Sequence, residues 1–135
     1  MKIQLESGLG QNLIRSYGPG QIRINQDVYV RSLIATPARI IADWPPASFE
    51  ELTALHFQQI ADLAPEVVIL GTGARLRFPP PAVTRALIEA NVGVEVMDTG
   101  AACRTYNILV GDGRRVVAAL LMIETALTET PSAAE

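Results

Sequence analysis

Residues 66–73 have the sequence EVVILGTG, a run of β-branched and other apolar residues followed by a glycine-containing turn. An apolar run without polar alternation is typical of a strand that is buried on both faces of a sheet. Such strands occur mostly in domains where helices cover the sheet. We therefore interpret this segment as a strand of an α/β domain that is buried on both faces.

The segment before this strand predicts a helix over residues 49–63. Ser48 is a favourable N-cap, and Glu51 three residues later completes a predicted capping box. His56 falls on the apolar face of the predicted helix, and Pro65 ends the helix. A short strand is predicted upstream, over residues 39–44.

The segments after this buried strand alternate between helix and strand. Proline at a first helical turn favours a helix over residues 81–90, and Asp98 or Thr99 is a suitable cap for a later helix. The predicted elements are a helix over 81–90, a strand over 94–97, a helix over 100–110 and a strand over 115–122. Alternation of this kind predicts parallel neighbours in the sheet.

The first forty residues predict a hairpin or short meander. Residues 13–17 precede the turn signal Gly18-Pro19-Gly20, and residues 21–24 alternate polar and apolar side chains. A second turn leads to a return strand over residues 28–30. The predicted fold is α/β, with a mixed sheet, helices packed on it and an N-terminal β layer, in one domain over residues 1–124. We expect residues 125–135 to be a frayed tail.

Composition excludes several classes of protein. The chain has 135 residues, of which 49% are hydrophobic and 19% charged, so it has enough apolar side chains for a core. One cysteine and one histidine disfavour a disulfide or a zinc site, and we predict no metal and no cofactor. A net charge of −3 argues against nucleic-acid binding. No apolar run has the length of a membrane span or a signal peptide, so we expect a cytoplasmic protein.

The glycine turn after the buried strand of residues 66–70 is the first candidate for a binding site. Gly71, Thr72 and Gly73 follow the strand, and Arg75 and Arg77 lie just beyond them. Ligands of α/β sheets bind at the carboxyl ends of strands, where glycines let backbone amides approach an anion. The alternative interpretation is a tight turn that requires a positive φ angle.

The second candidate is the segment from Asp98 to Asn107, which follows a strand and opens a helix. We therefore expect it at the same edge of the sheet as residues 71–73. The N–H groups of a helix start favour anions, and the small residues after Thr99 permit close approach of a ligand or a second backbone. Alternatively, these residues pack the helix and make structural hydrogen bonds. The predicted ligand or partner surface comprises Gly71, Thr72, Gly73, Arg75, Asp98, Thr99, Gly100, Cys103, Arg104 and Tyr106.

No complete catalytic group is evident. Cys103 could be a thiolate nucleophile beside Arg104, but a nucleophile requires a base, and His56 is the one histidine. We therefore predict no catalytic residue, although Asp43 and Asp98 both lie at the ends of predicted strands. Trp44 is either an exposed anchor for a partner protein or a cover for the end of the sheet.

Three segments resemble a known family: residues 66–73, residues 97–109 and residues 113–121. They are similar to the small α/β proteins that include the mitochondrial NADH dehydrogenase assembly factor 3, whose bacterial members are mostly uncharacterised. The resemblance implies a three-layer β/β/α-type fold and a non-catalytic assembly role through contacts with another protein. The alternative function is a domain that binds a small anion or small molecule at the two glycine loops, either as a binding module or as an enzyme.

Overall fold

The computed structural model describes residues 10–124. Within this range, eight strands, three α-helices and one 3-10 helix follow each other along the chain. They are β1 (Ile14–Gly18), β2 (Gln21–Ile24), β3 (Asp27–Tyr29), β4 (Leu33–Ala35), β5 (Ile40–Ile41), the 3-10 helix (Phe49–Glu51), α1 (Ala54–Ala61), β6 (Val67–Gly71), α2 (Pro81–Glu89), β7 (Gly93–Met97), α3 (Thr99–Gly111) and β8 (Val116–Leu120).

The strands form two sheets. Strands β1, β2 and β3 form an antiparallel meander, as the sequence predicts. The larger sheet has the order β5-β4-β8-β6-β7, in which β6 is parallel to both of its neighbours and β4 is antiparallel to β8 and β5. Every residue of β6 is buried, which confirms the prediction that this apolar run is a strand covered on both faces.

The larger sheet lies between two layers. Helices α1 and α2 cover one face, where Phe57, Ile60 and Leu87 pack on the sheet. Helix α3 and the small sheet cover the other face, where Ile22 and Tyr106 pack against residues of β6 and β8. The predicted mixed α/β fold with a strand-rich first half is confirmed.

The predicted start of the first helix is wrong. Residues 49–51 form only a 3-10 turn, Leu52 has extended backbone, and α1 begins at Ala54. The Ser48 side chain makes no capping bond. The cap is formed instead by Thr53, whose N–H donates to Nδ1 of His56 at 3.0 Å. Because a histidine nitrogen substitutes for the usual carboxylate acceptor, the sequence pattern of a capping box did not indicate this helix start.

Two further boundaries differ from prediction. In the predicted strand 39–44 only Ile40–Ile41 pair with a neighbour, and Asp43 has a left-handed φ of 61° that ends the extended backbone. The predicted return strand 28–30 begins at Asp27 and ends at Tyr29. Of the two predicted caps of α3, Asp98 is the one present, since its carboxylate accepts the N–H of Ala101 at 2.8 Å. The predicted tail, residues 125–135, lies outside the described residues.

Candidate functional site

The two loops predicted to meet do lie at the same edge of the larger sheet. Gly71 is the register partner of Met97 in β7 and of Leu120 in β8, so three carboxyl ends converge there. The loops are also bonded to each other. The N–H of Thr99 donates to the carbonyl of Gly73 at 2.9 Å, and the N–H of Gly73 donates to Oγ1 of Thr99 at 2.8 Å.

Thr99 connects three chain segments at this edge. Its Oγ1 accepts from Gly73 and donates to the carbonyl of Leu121, just past β8, at 2.7 Å. The side chain is fully buried. Its polar atoms are therefore used within the protein, in keeping with the general pairing of buried polar groups.

Thr72 is engaged in the same way. Its N–H donates to the carbonyl of Met97 at 2.9 Å, and its Oγ1 donates to the carbonyl of Arg75 at 2.6 Å. Thr72 is buried, whereas Arg75 is exposed. Thr72 thus shapes the glycine loop from inside, and Arg75 is the part of the loop that reaches solvent.

A carboxylate of the chain itself sits over the glycine loop. Oε1 of Glu124 accepts the N–H of Ala74 at 2.6 Å. Gly73 has a φ of 99°, as the tight-turn interpretation requires, and a Cβ on this residue would lie 2.6 Å from the same oxygen. The loop therefore does bind an anionic oxygen through a backbone N–H, and in this structure the oxygen belongs to Glu124.

Arg77 links this loop to the 3-10 helix that precedes α1. Its guanidinium contacts Glu50 at 2.8 Å and Glu124 at 3.4 Å, and it lies 4.6 Å above the ring of Phe49. A backbone hydrogen bond, then the bond from Arg77, holds the pKa of Glu50 below its usual value. The sequence shows two arginines after the glycines, and only the three-dimensional contacts distinguish the roles of Arg75 and Arg77.

A second exposed residue of the predicted surface, besides Arg75, lies in the first turns of α3. Arg104 donates to the hydroxyl oxygen of Tyr17, and its guanidinium lies 5.9 Å from the ring centroid of Tyr17. A Cβ on Gly100 would lie 3.0 Å from the same ring, so glycine permits this approach. We name Tyr17, Gly100 and Arg104 the Tyr17 patch. Tyr17 was missed by sequence reasoning, because its position depends on how the small sheet packs on α3.

The remaining predicted residues on α3 belong to the core. Cys103 is 1% exposed, and burial raises the pKa of its thiol to about 12 against the opposing effect of nearby Arg104. The thiol therefore stays protonated at neutral pH. Burial also raises the pKa of Tyr106, whose hydroxyl donates to the carbonyl of Asn12 at 2.8 Å.

Asn107 fastens the small sheet to α3. Its Oδ1 accepts the N–H of Ile14 at 2.9 Å, and its Nδ2 donates to the carbonyl of Ile14 at 2.8 Å. The side-chain amide thus pairs with β1 as a neighbouring strand would. Sequence reasoning gave Asn107 only a general structural role, since its partner lies 93 positions away.

The other candidate chemical groups are kept apart. Cys103 packs in the cluster on the α3 side of the larger sheet, whereas His56 belongs to α1 on the other face. Burial lowers the pKa of His56, whose ring lies 5.8 Å from that of Trp44. Asp43 follows β5 and Asp98 follows β7, and these strands are the two opposite edges of the sheet. Neither a Cys–His pair nor a carboxylate pair is assembled from these residues.

A cleft of about 450 Å³ opens at the opposite end of the sheet. It lies near the amino ends of β6 and β8, between apolar residues such as Leu63 and the arginines Arg39 and Arg115. Arg114, also at its border, is bound to Glu66 at 2.7 Å. Sequence reasoning placed binding at the carboxyl ends and did not indicate this cleft.

Residues 10–124 contain neither a metal-binding cluster nor a membrane-spanning helix. No group of three or more His, Cys, Asp or Glu side chains in this part of the chain is arranged to hold a metal ion. None of the helices described there has the length and apolar character that crossing a membrane requires.

The family of the chain follows from its sequence. The family model described as Protein of unknown function (DUF498/DUF598) matches residues 14–121. The chain belongs to the DUF498 family. The matched range contains all the strands and helices described above, including both loops at the carboxyl edge of the larger sheet.

Relatives of this DUF498 chain include a bovine protein and two bacterial structures. The protein named NADH dehydrogenase [ubiquinone] 1 alpha subcomplex assembly factor 3, from Bos taurus, is 34% identical over 98% of this chain and 73% of its own length. A crystal structure from Bordetella parapertussis is 44% identical, with a TM-score of 0.80 over 85% of this chain and 98% of that one. A solution structure from Bordetella pertussis, described as a Mth938-like domain, is 34% identical with a TM-score of 0.77, over 90% and 93% of the two chains.

Proposed function

We propose that this chain is a non-catalytic protein-interaction module that takes part in assembling a respiratory complex. The observation that carries the proposal is its 34% identity, over 98% of its length, to a bovine protein named as an assembly factor of NADH dehydrogenase. The resemblance of the Asp98–Asn107 segment to that family points to the same role. The chain would act by binding a subunit or another assembly protein.

The chemistry of the predicted site supports a binding role. The side-chain hydroxyls of Thr72 and Thr99 are hydrogen-bonded to backbone groups of the chain itself. A nucleophile requires a deprotonated form and a nearby base, whereas Cys103 has a raised pKa and packs on the face of the sheet opposite α1, which carries His56. The side chains that the Tyr17 patch offers to a partner are those of Tyr17 and Arg104, which are exposed.

The Tyr17 patch has the composition of an interaction centre. Tyrosine and arginine are enriched among residues that dominate binding energies, and Tyr17 is 36% exposed. Arg104 is exposed and is oriented by its bond to Tyr17. A partner with a carboxylate can therefore bind Arg104 without a large loss of side-chain freedom.

Charge reversal at Arg104 tests the proposal. We expect Arg104→Glu to reduce co-purification of the partner about tenfold or more, because it removes the cation and introduces repulsion. The measurement is affinity capture of the tagged chain from detergent-solubilised lysate of its source, read by mass spectrometry, with melting curves for each variant.

Arg85→Glu is the matched control, since Arg85 is an exposed arginine on α2, in the opposite layer. Capture of respiratory-complex subunits by the wild type and by Arg85→Glu, but not by Arg104→Glu at equal melting temperature, supports the proposal. If the wild type captures no such subunit, the assembly role is wrong. If Arg104→Glu melts much earlier and binds normally, Arg104 is structural.

We also propose that the chain works in the cytoplasm, at the surface of the membrane that holds its partner complex. The support is the sequence, which has no apolar run of membrane-spanning length. Fractionation of the source cells tests this location. If the chain stays with the washed membranes of cells that lack the partner complex, this location is wrong.

A small-anion site at the glycine loop is the second candidate function. The observation in its favour is the carboxylate of Glu124 on the N–H of Ala74, with Arg77 beside it. An external anion would have to replace this carboxylate. We expect Glu124→Ala to expose the N–H of Ala74, so that inorganic phosphate shifts the amide NMR signal of Ala74.

Glu89→Ala, an exposed change on α2, is the control for this experiment and should show no phosphate-dependent shift. Shifts in Glu124→Ala alone would identify the loop as an anion site that Glu124 normally closes. The absence of shifts in all variants would eliminate this candidate.

A further inference from the structure

A groove runs along the side of the molecule where the open edges of both sheets lie. It consists of two clefts of about 200 Å³ each, which share Val30 and Arg31. The first cleft adds Val28 from β3 and Ala42 from the chain after β5, and the second reaches Trp44. We name this feature the β3–β5 groove.

Two strand edges border the β3–β5 groove. Among the described residues, β3 pairs only with β2, and β5 pairs only with β4. A strand with one neighbour has backbone N–H and C=O groups on its other side that can pair with an added strand. Both edges are short, at three and two residues, so neither is an extensive template by itself.

The apolar side chains of the groove are unusually accessible. Val28 is 53% exposed and Val30 is 65% exposed. These two valines alternate with the half-buried Tyr29, so they point to the same side of an extended segment. Contact with an apolar partner would remove this surface from water.

Two residues that line the groove each have a buried polar side-chain atom without a partner within the described residues. These atoms are Oγ of Ser32 and Nε1 of Trp44, in residues only 3% and 4% exposed. Both residues line the second cleft, and the N–H of Trp44 donates to the carbonyl of Ser32 at 2.9 Å. Buried donors of this kind are nearly always paired in proteins, so their position calls for an acceptor from outside.

The charges at the groove are already balanced. Arg31 contacts Asp43 at 3.3 Å, and both side chains are largely exposed. A charged ligand would have to compete with this pair. A neutral ligand with carbonyl oxygens satisfies the buried donors without that competition.

We infer that the β3–β5 groove binds an extended, uncharged segment of a partner protein, rich in β-branched residues, which pairs with a strand edge and presents backbone carbonyls to Ser32 and Trp44. This mode of recognition takes affinity from main-chain hydrogen bonds and specificity from alternate side chains. The inference rests on the proposed assembly role and specifies the chemistry of the partner segment. Trp44 is buried, so it is not the exposed anchor that the sequence left open. In this inference it contributes to binding through its indole N–H alone.

The test uses the wild-type chain and two variants, Val30→Asp and Ile88→Asp. Val30 lies in the groove, whereas Ile88 is a 59% exposed residue of α2, near the opposite edge of the sheet. Both changes add a carboxylate at an exposed apolar site, so their effects on folding should be small and similar. The probe is a library of short random peptides displayed on phage and selected on the wild-type chain.

We expect the selected peptides to be uncharged and rich in Val, Ile and Thr. Their affinity should fall about tenfold or more in Val30→Asp and stay unchanged in Ile88→Asp. The chain has one tryptophan, so its single indole N–H signal in a ¹⁵N NMR spectrum reports on Trp44 directly. Binding should move this signal, because a new acceptor changes the environment of the indole N–H.

Several outcomes would overturn the inference. They are the absence of any selected peptide, binding that leaves the indole signal unmoved, and equal affinity in Val30→Asp. If the wild-type chain forms a concentration-dependent dimer that Val30→Asp dissociates, the groove binds a second copy of this chain. This outcome would overturn the inference that a different protein occupies it. If subunits are captured from lysate equally well by Val30→Asp, the groove inference fails while the assembly role stands. If no subunit is captured but peptides bind as described, the assembly role fails and the groove stands.

Discussion

Thr99→Val should lower the free energy of unfolding by roughly 2–4 kcal/mol, because it removes one hydroxyl that serves two buried backbone groups. The N–H of Gly73 loses its acceptor and the carbonyl of Leu121 loses its donor. Valine has nearly the shape of threonine, so the loss is due to unsatisfied polar groups and not to a cavity. Since typical domains have a free energy of unfolding of about 5–15 kcal/mol, the effect is large.

The measurement is urea denaturation followed by the fluorescence of Trp44. Thr105→Val is the matched control, since Thr105 is a half-buried threonine on the same helix, and it should change stability by less than about 1 kcal/mol. A Thr99→Val loss as small as the control's would mean that water replaces the hydroxyl, and that the loops are held together by other contacts.

Asn107→Asp should destabilise the chain by about 1–3 kcal/mol at neutral pH, because a carboxylate oxygen replaces the N–H donor that faces the carbonyl of Ile14. The bond from the N–H of Ile14 can persist, since the other oxygen still accepts it. The change therefore affects one half of the link between α3 and β1. We expect β1 and β2 to lose protection from hydrogen exchange before the larger sheet does.

The pH dependence of this variant follows from the same geometry. The facing carbonyl disfavours the charged form, so the pKa of the new aspartate is higher in the folded than in the unfolded chain. A raised carboxyl pKa means that the folded chain holds the proton more tightly, so stability relative to wild type recovers as pH falls through that pKa. Gln59→Glu, an exposed amide-to-acid change on α1, should show no such recovery. A deficit that is constant with pH would contradict the role of Asn107 as donor.

The link that Asn107 makes between α3 and β1 also determines where the residues of the proposed binding surfaces lie. Tyr17 is on β1 and Arg104 is on α3, so their contact depends on the bonds of Asn107 to Ile14. Val28 and Val30 lie on the small sheet and beside it, whereas Trp44 belongs to the cluster of the larger sheet. Weakening the link should therefore reduce partner binding even where the residues in contact are unchanged.

The sequence alone determined the main elements of this protein and its family. The apolar run of β6 indicated a strand buried on both faces, the alternation after it indicated parallel neighbours, and the residues from Asp98 onward indicated the family to which the chain belongs. These features are local, because burial on both faces and helix capping leave a pattern within a few neighbouring residues. The convergence of the two glycine loops also followed, since carboxyl ends of parallel strands share one edge.

Only the tertiary structure decided what the predicted residues do. Sequence reasoning treated Thr99, Cys103 and Tyr106 as parts of a possible surface, and packing made them core residues with internal partners. The role of Asn107 depends on Ile14, and the environment of Ala74 depends on Glu124, 50 positions away. Contacts between residues so far apart in the chain arise from the arrangement of layers, and no periodicity or short motif encodes them.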